Sequence, residues 1–228
     1  RGLGFPVVVS ERTVPGLWDI GWFWNRMRTL TYRWAARIVV QTQQAGGRLQ
    51  AGVRERVVVI PNPVSRPAFA AGAAGGASRR PVAVAMGRLC REKGYDLLLP
   101  AFARARAAHP DWSLKILGDG SLRQELEALR DRLGLKEWVE FAGWIPGPTA
   151  VLRRADLFVM ASRFEGFPNA LCEAMACGVP VIATDCPAGP REIVRDGVDG
   201  ILVPPEDVGA VAEAMGRLMG AFELRRRM

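Results

Sequence analysis

Two glutamates with seven residues between them, Glu165 and Glu173, bracket the stretch EGFPNALCE in this 228-residue chain. The apolar run before them, LFVM (157–160), has the length and composition of a strand buried in a parallel sheet. Pro168 stands at the expected first helical position, where a missing N–H costs nothing. The helix should run to about Cys177, where Gly178 and Pro180 stop it, and VPVIAT (179–184) reads as the next buried strand. At the start of that helix the amides of Asn169, Ala170 and Leu171 have no intrahelical partner and point outward with the positive end of the dipole. Such a terminus takes an anion, most readily phosphate. The flanking carboxylates would repel phosphate. Ionised, they are acceptors only and suit hydroxyl groups. Phosphate in the middle with hydroxyls on either side describes a sugar nucleotide. The plain alternative is an ordinary strand–helix unit with solvated glutamates.

The elements that must position these groups alternate regularly from residue 81. Strands are expected at VAVAMG (82–87), LKILGDG (114–120), WVEFAG (138–143), LFVM, VPVIAT and GILVP (200–204). Helices are expected between them and after the last. Strands alternating with helices make a doubly wound parallel sheet, an α/β class whose ligands lie at the carboxyl ends of the strands. Several further candidates fall at those ends. Arg88 and Lys93 follow the first strand, Gly118, Asp119 and Gly120 end the second, and Trp144–Ile145–Pro146 follow the third. Ser162 and Arg163 precede Glu165 in the same cleft. Glycines let a backbone approach a ligand closely, although Asp119 also reads as a helix N-cap. The sole histidine, His109, falls at the opposite end of the sheet and reads as structural or solvated. No GxGxxG follows any strand, which argues against a dinucleotide-dependent dehydrogenase.

Ahead of this unit, VVVS (7–10), RIVVQT (37–42) and RVVVIPNPV (56–64) read as strands of a second α/β piece. Ser10, Glu11 and Arg12 end the first of them. AFAAGAAGGASRRP is the best linker in the chain, so the expected boundaries are 1–63, a linker at 64–80, and 81–228. Both ends read as cut, because the chain opens without a starting Met and closes on an uncapped helical pattern. Residues 17–37 interleave Trp18, Trp22, Phe23, Trp24, Tyr32 and Trp34 with Arg26, Arg28, Arg33 and Arg37. That is the composition of a helix resting on a membrane interface, or of one packed on its own domain.

The net charge of +8 directs attention to anionic partners. No motif that reads RNA or DNA is present, so phosphorylated substrates and membranes rank ahead of nucleic acid. Cys90, Cys172, Cys177 and Cys186 include no CxxC pair, which argues against a metal site and fits a reducing, cytoplasmic compartment. No apolar run approaches a membrane span and no signal peptide is visible.

Set inside EGFPNALCEAMACGVPVIATD, the Glu165–Glu173 spacing resembles the nucleotide-sugar site of the retaining GT-B glycosyltransferases of family 4. The resemblance runs from about residue 55 to the end and weakly before that. It implies a GT-B fold: a Rossmann-like C-terminal domain plus the tail of an N-terminal acceptor-side domain whose front is missing. It implies that Glu165 lies by the donor sugar and Glu173 takes the ribose hydroxyls. Arg88 and Lys93 would hold the donor diphosphate, Gly166 and Phe167 would line the donor turn, and Ile145 would meet the base. Fixed cations stabilise the charge that develops on a leaving diphosphate, and no Asp-x-Asp pair is present to hold a metal instead, so neither a metal nor another cofactor is expected. The turn DCPAGPREIV (185–194) looks like that of relatives acting on lipid-linked or polysaccharide acceptors. The implied activity is sugar transfer from a UDP-linked nucleotide donor, with peripheral membrane contact through 17–37. Rival readings are a nucleotide-binding fragment without transfer, a sugar-nucleotide epimerase, or a phosphorylase.

Overall fold

The computed structural model describes residues 5–14, 21–64, 79–187 and 189–228. The expected linker falls mostly on residues 65–78, and Trp18 on 15–20, so both lie outside the described residues. Two parallel sheets follow one another along the chain. The first is small, with β1 (Val8–Ser10), β2 (Arg37–Val40) and β3 (Val57–Val59) in that order. Helix α1 (Trp22–Thr31) and the short α2 (Gln43–Gly47) lie between its strands. Alternation along β2 buries Ile38 and Val40 in a cluster with Ala45, Leu49 and Val53.

The second sheet has six parallel strands: β4 (Val82–Met86), β5 (Ser113–Leu117), β6 (Val139–Gly143), β7 (Leu157–Met160), β8 (Val181–Thr184) and β9 (Gly200–Val203). Their spatial order is β6-β5-β4-β7-β8-β9. The chain steps outward from β4 on one side, then returns to the other side of β4 with β7. This is the doubly wound order in which the crevice opens where the winding reverses, between the carboxyl ends of β4 and β7.

Both faces of this sheet are covered, as an all-parallel sheet requires. On one face Ala83, Ala85, Leu114, Ile116, Leu157 and Val159 pack under α3 (Tyr95–Ala108), α4 (Arg123–Arg132) and α8 (Val208–Gly220). On the other, Val84, Leu117, Phe158, Met160, Val181 and Ala183 pack under α5 (Thr149–Leu152) and α6 (Asn169–Ala176). Consecutive strand residues alternate between these two clusters. The expected closing helix breaks at Ala221 into α8 and α9 (Phe222–Arg227). A short α7 (Pro190–Ile193) lies between β8 and β9.

The loops after β4 and β7 touch backbone to backbone. Gly94 has φ +65, and a Cβ built on it would stand 2.0 Å from Ala161 O. Gly94→Ala should therefore cost at least ~3 kcal/mol, from the left-handed backbone and the clash together. Gly47→Ala, with nothing within 4 Å of the added carbon, should be neutral or stabilise by up to ~1 kcal/mol. Thermal unfolding of the two variants checks the contrast. Equal melting temperatures would remove the claim that the two loops are fixed against each other.

Candidate active site

The crevice between β4 and β7 holds an ion pair. Lys93 leaves the 3-10 turn Arg91–Lys93 after β4, and Glu165 sits in the loop after β7. Lys93 Nζ lies 2.7 Å from both carboxylate oxygens of Glu165. Glu165 is 5% exposed. Ser162 Oγ donates to its Oε1 at 2.6 Å, and the Ser162 carbonyl accepts from buried Thr184. Ammonium carries three donors and an ionised carboxylate about four acceptor positions. Among the described residues, two of the first and three of the second are used. One ammonium N–H stays available for an anion, and one lone pair on Oε2 for a hydroxyl. Lys93, expected to hold the donor diphosphate, thus also has a protein partner, Glu165. Ser162, at 1% exposed, is buried against Glu165.

The glycine after β4 fits the same pair. Gly87 accepts from Tyr95 Oη at 3.1 Å, and a Cβ on Gly87 would meet the Lys93 stem at 3.3 Å. Arg88 is next in the chain and is exposed. Sequence reasoning therefore placed Arg88 and Lys93 at one strand end correctly, but only Lys93 contacts Glu165.

Helix α6 starts one residue later than expected. Pro168 is the N-cap, with φ −81 and ψ 70, and Asn169 is the first helical residue. The Asn169 amide donates to Phe167 O at 2.9 Å and is not free for an anion. The first intrahelical bond is Cys172 N–H to Pro168 O at 3.2 Å. The amides of Ala170 and Leu171 precede it and form the anion-facing part of the terminus. Glu173 lies one turn further on, and partial burial alone raises its carboxyl above the usual carboxylate range. Glu165 and Glu173 thus flank the start of one helix, as the sequence suggested.

Gly118 and Gly120 serve a different contact from the one expected. A Cβ on Gly118 would stand 2.0 Å from Gly87 O, and one on Gly120 2.4 Å from Leu89 O. Their close approach is to the loop after β4, which they hold in place. Asp119 does not cap α4, whose N-cap is Leu122. It accepts from the Gly120 amide at 2.7 Å and pairs with Arg123. Ile145, in the loop after β6, packs its half-buried side chain on the Val84 cluster. His109 ends α3, away from this crevice. Among the described residues no group of three His, Cys, Asp or Glu side chains comes together. The cysteines are free thiols, and burial pushes Cys186 up to about 12 and Cys172 up to about 11.

Loops of the small sheet contact the start of α6 and the loop before it. Arg12, just past β1, donates to Asn62 Oδ1 at 2.9 Å, and Gln41 donates to the same oxygen. Asn62 Nδ2 in turn donates to Asn169 Oδ1 at 2.9 Å, at the first residue of α6. A Cβ on Gly166 would lie 2.7 Å from Arg12 O. Arg12 thus has a protein partner in Asn62. Sequence reasoning missed Asn62; its place between two prolines in PNP was the available signal.

A second contact joins the two units. The Glu192 carboxylate accepts from the Gln43 and Gln44 amides at 2.8 and 2.7 Å, at the start of α2. Removing it in Glu192→Ala should cost the closed arrangement about 1 kcal/mol, because the pair is exposed. Hydrogen exchange at Gln43 and Gln44 should then speed up roughly fivefold. Unchanged exchange would show that Glu192 holds nothing closed.

Helix α1 buries none of its residues. Trp22, Trp24 and Trp34 are 78%, 62% and 66% exposed, so packing on its own domain does not account for them. Two members of the expected face turn inward instead. Arg28 and the Tyr32 hydroxyl both donate to buried Glu11, at 3.4 and 2.8 Å. That contact and burial raise the Tyr32 pKa strongly, burial being the larger cause.

The strand order and the crevice define a doubly wound α/β unit of GT-B type. Comparison with solved structures agrees: Anabaena HepE in complex with UDP superposes with TM-score 0.85 at 23% identity, covering 97% of this chain and 65% of that one. Residues 80–221 match the family described as glycosyl transferases group 1, and the chain belongs to that family. An exopolysaccharide phosphotransferase of Streptomyces coelicolor is 46% identical over 61% of this chain and 15% of its own length. The N-acetylgalactosamine-N,N'-diacetylbacillosaminyl-diphospho-undecaprenol 4-alpha-N-acetylgalactosaminyltransferase of Campylobacter jejuni is 35% identical over 63% of this chain and 38% of its own. The chain spans less than half the length of these relatives.

Proposed function

We propose that this chain carries the donor site of a retaining family 4 glycosyltransferase that works without a resident metal ion. It moves a sugar from a UDP-linked donor to a hydroxyl of a lipid-linked or polysaccharide precursor. The observation that carries the reading is the Lys93–Glu165 pair set across the switch-point crevice, beside the start of α6. In the reaction the anomeric C–O bond breaks and its electron pair goes to the diphosphate. The acceptor oxygen bonds to that carbon as its proton passes to the departing diphosphate oxygen. Lys93 and Arg88, with the Ala170 and Leu171 amides, stabilise the charge that develops. Glu165 orients the sugar through its remaining lone pair, and Glu173 takes the ribose hydroxyls. The name of the Campylobacter relative supports a lipid-diphosphate acceptor.

The reading includes a cytoplasmic membrane surface. The exposed tryptophans of α1 and after it, with Arg33 stacked 5.1 Å from the Trp34 ring, suit headgroup depth. No helix of the described residues is long and apolar enough to cross a bilayer. A donor screen on the natural full-length protein, with and without a lipid-diphosphate acceptor and with EDTA, tests the proposal. Acceptor-dependent release of nucleoside diphosphate that survives EDTA is expected. Release of nucleoside monophosphate would mean that sugar phosphate moves instead. Turnover of donor indifferent to acceptor would point to an epimerase.

A further inference from the structure

Arg163 does not line the cleft; its guanidinium is 15% exposed and committed to protein partners. Two of its N–H groups meet Asp96 Oδ1 and Oδ2 at 2.8 and 2.7 Å. A third reaches Arg91 O at 2.7 Å, and Nε reaches Glu206 Oε1 at 2.9 Å. Its backbone amide donates to Glu92 O at 2.8 Å. Four of the five guanidinium donors are thus used. They join three loops: the one after β4, which carries Lys93; the one after β7, which carries Glu165; and the one after β9.

Arg163 is two residues from Glu165, and Arg91 is two residues from Lys93. The two turns that supply the two halves of the ion pair are therefore fastened to each other just behind it. Glu206 shows that the fastening is held against a cost. Among the described residues it is the one non-glycine with positive φ, at 60°, which costs ~1 kcal/mol or more. The Arg163 hydrogen bond holds Asp96 below the usual carboxylate range. The contact therefore persists with Asp96 ionised at neutral pH, where a charge-assisted fork is strongest.

We infer that Arg163 and Asp96 are positioning residues whose twin hydrogen bond sets the separation of Lys93 and Glu165 across the crevice. The inference rests on the glycosyl-transfer reading of that pair. Lysine cannot replace the arginine, because a point charge lacks the planar fork that reaches Asp96, Arg91 O and Glu206 at once. The consequence is a loss in the chemical step and not in nucleotide affinity, since the ribose and base contacts lie elsewhere.

The test uses the natural full-length protein as wild type, Arg163→Lys, Arg163→Ala and Asp96→Asn. In Arg163→Lys and Asp96→Asn, kcat per folded molecule should fall at least ~30-fold while KM for the donor moves less than about threefold. Added guanidinium at low millimolar concentration should restore part of the activity of Arg163→Ala. A merely structural role would lower the melting temperature and the folded fraction, leave kcat per folded molecule unchanged, and give no rescue. A second measurement needs no substrate. Hydrogen exchange in Arg163→Lys should quicken at least tenfold in both turns, 91–94 and 163–165, and stay unchanged in β2. Exchange unchanged in either turn, or kcat within twofold of an active wild type, overturns the inference. An inactive wild type with both turns loosened in the variant would instead sink the glycosyl-transfer reading and leave the strut standing.

Discussion

Replacing Lys93 with alanine is expected to cut donor turnover by about 10²–10³, the usual loss on removing one preorganised donor from a developing charge. Among the described residues, the ammonium is the one cation in contact with the buried Glu165 carboxylate. Its loss leaves that carboxylate with Ser162 as its remaining side-chain donor among the contacts found. Breaking a buried pair costs about 3–5 kcal/mol, and the partial exposure of Lys93, 27%, reduces this to about 2 kcal/mol. The melting temperature should fall by roughly 4–8 °C for a chain of this size. Lys93→Met combined with Glu165→Gln removes both charges and should recover most of that stability while recovering none of the turnover. Calorimetry and steady-state rates on the two singles and the double give the full cycle. Normal turnover in Lys93→Ala would remove the ammonium from the chemistry.

Glu173→Ala should weaken nucleotide-sugar binding by about 10- to 100-fold, as expected on losing hydrogen bonds to a charged acceptor, worth about 1.5–3 kcal/mol. The carboxyl is desolvated and its pKa is raised, which fixes the sign of two pH effects. A raised pKa means that protonated Glu173 favours the fold. Its contribution to stability is present below the unfolded value and lost as pH rises through the folded one. Binding runs the other way, because only the ionised form accepts from two hydroxyls. Affinity should therefore fall on acidification at a pH above the ordinary carboxylate range, and Glu173→Gln should flatten that dependence. Titration calorimetry with a nucleotide sugar, whose diphosphate does not itself titrate there, checks both. An unaltered affinity in Glu173→Ala would take the ribose role away.

Local patterns carried the sheet. LFVM is β7 residue for residue, since an apolar run of that length between turn signals has few other uses. The start of α6 was missed by one position because Pro168 tolerates both the cap and the first turn. What the chain could not display is which loops meet. Lys93 and Glu165 are 72 positions apart, and Asp96 and Arg163 are 67 apart. Only the strand order brings them together. The doubly wound rule does place the loops after the first and fourth strands side by side, so the Lys93–Glu165 contact was within reach of topology. The glycines of GDG show the opposite case. Their need for space was legible, but the sequence did not show that a protein loop fills it. In α1, composition alone could not separate Arg28 and Tyr32, which turn inward to Glu11, from the aromatics that face solvent.

Two concavities compete for the donor. A second concavity of about 830 Å³ runs along the β6 edge, lined by Lys115, Arg123, Arg130 and Arg154. Its arginines and lysines also suit an anion, but it lies away from the switch point. A crystal structure of the natural full-length protein with a UDP-sugar discriminates directly. The diphosphate is expected within hydrogen-bond distance of Lys93 Nζ and the Ala170 and Leu171 amides, with the ribose on Glu173. Nucleotide bound along β6, with the Lys93–Glu165 crevice bare, would contradict it.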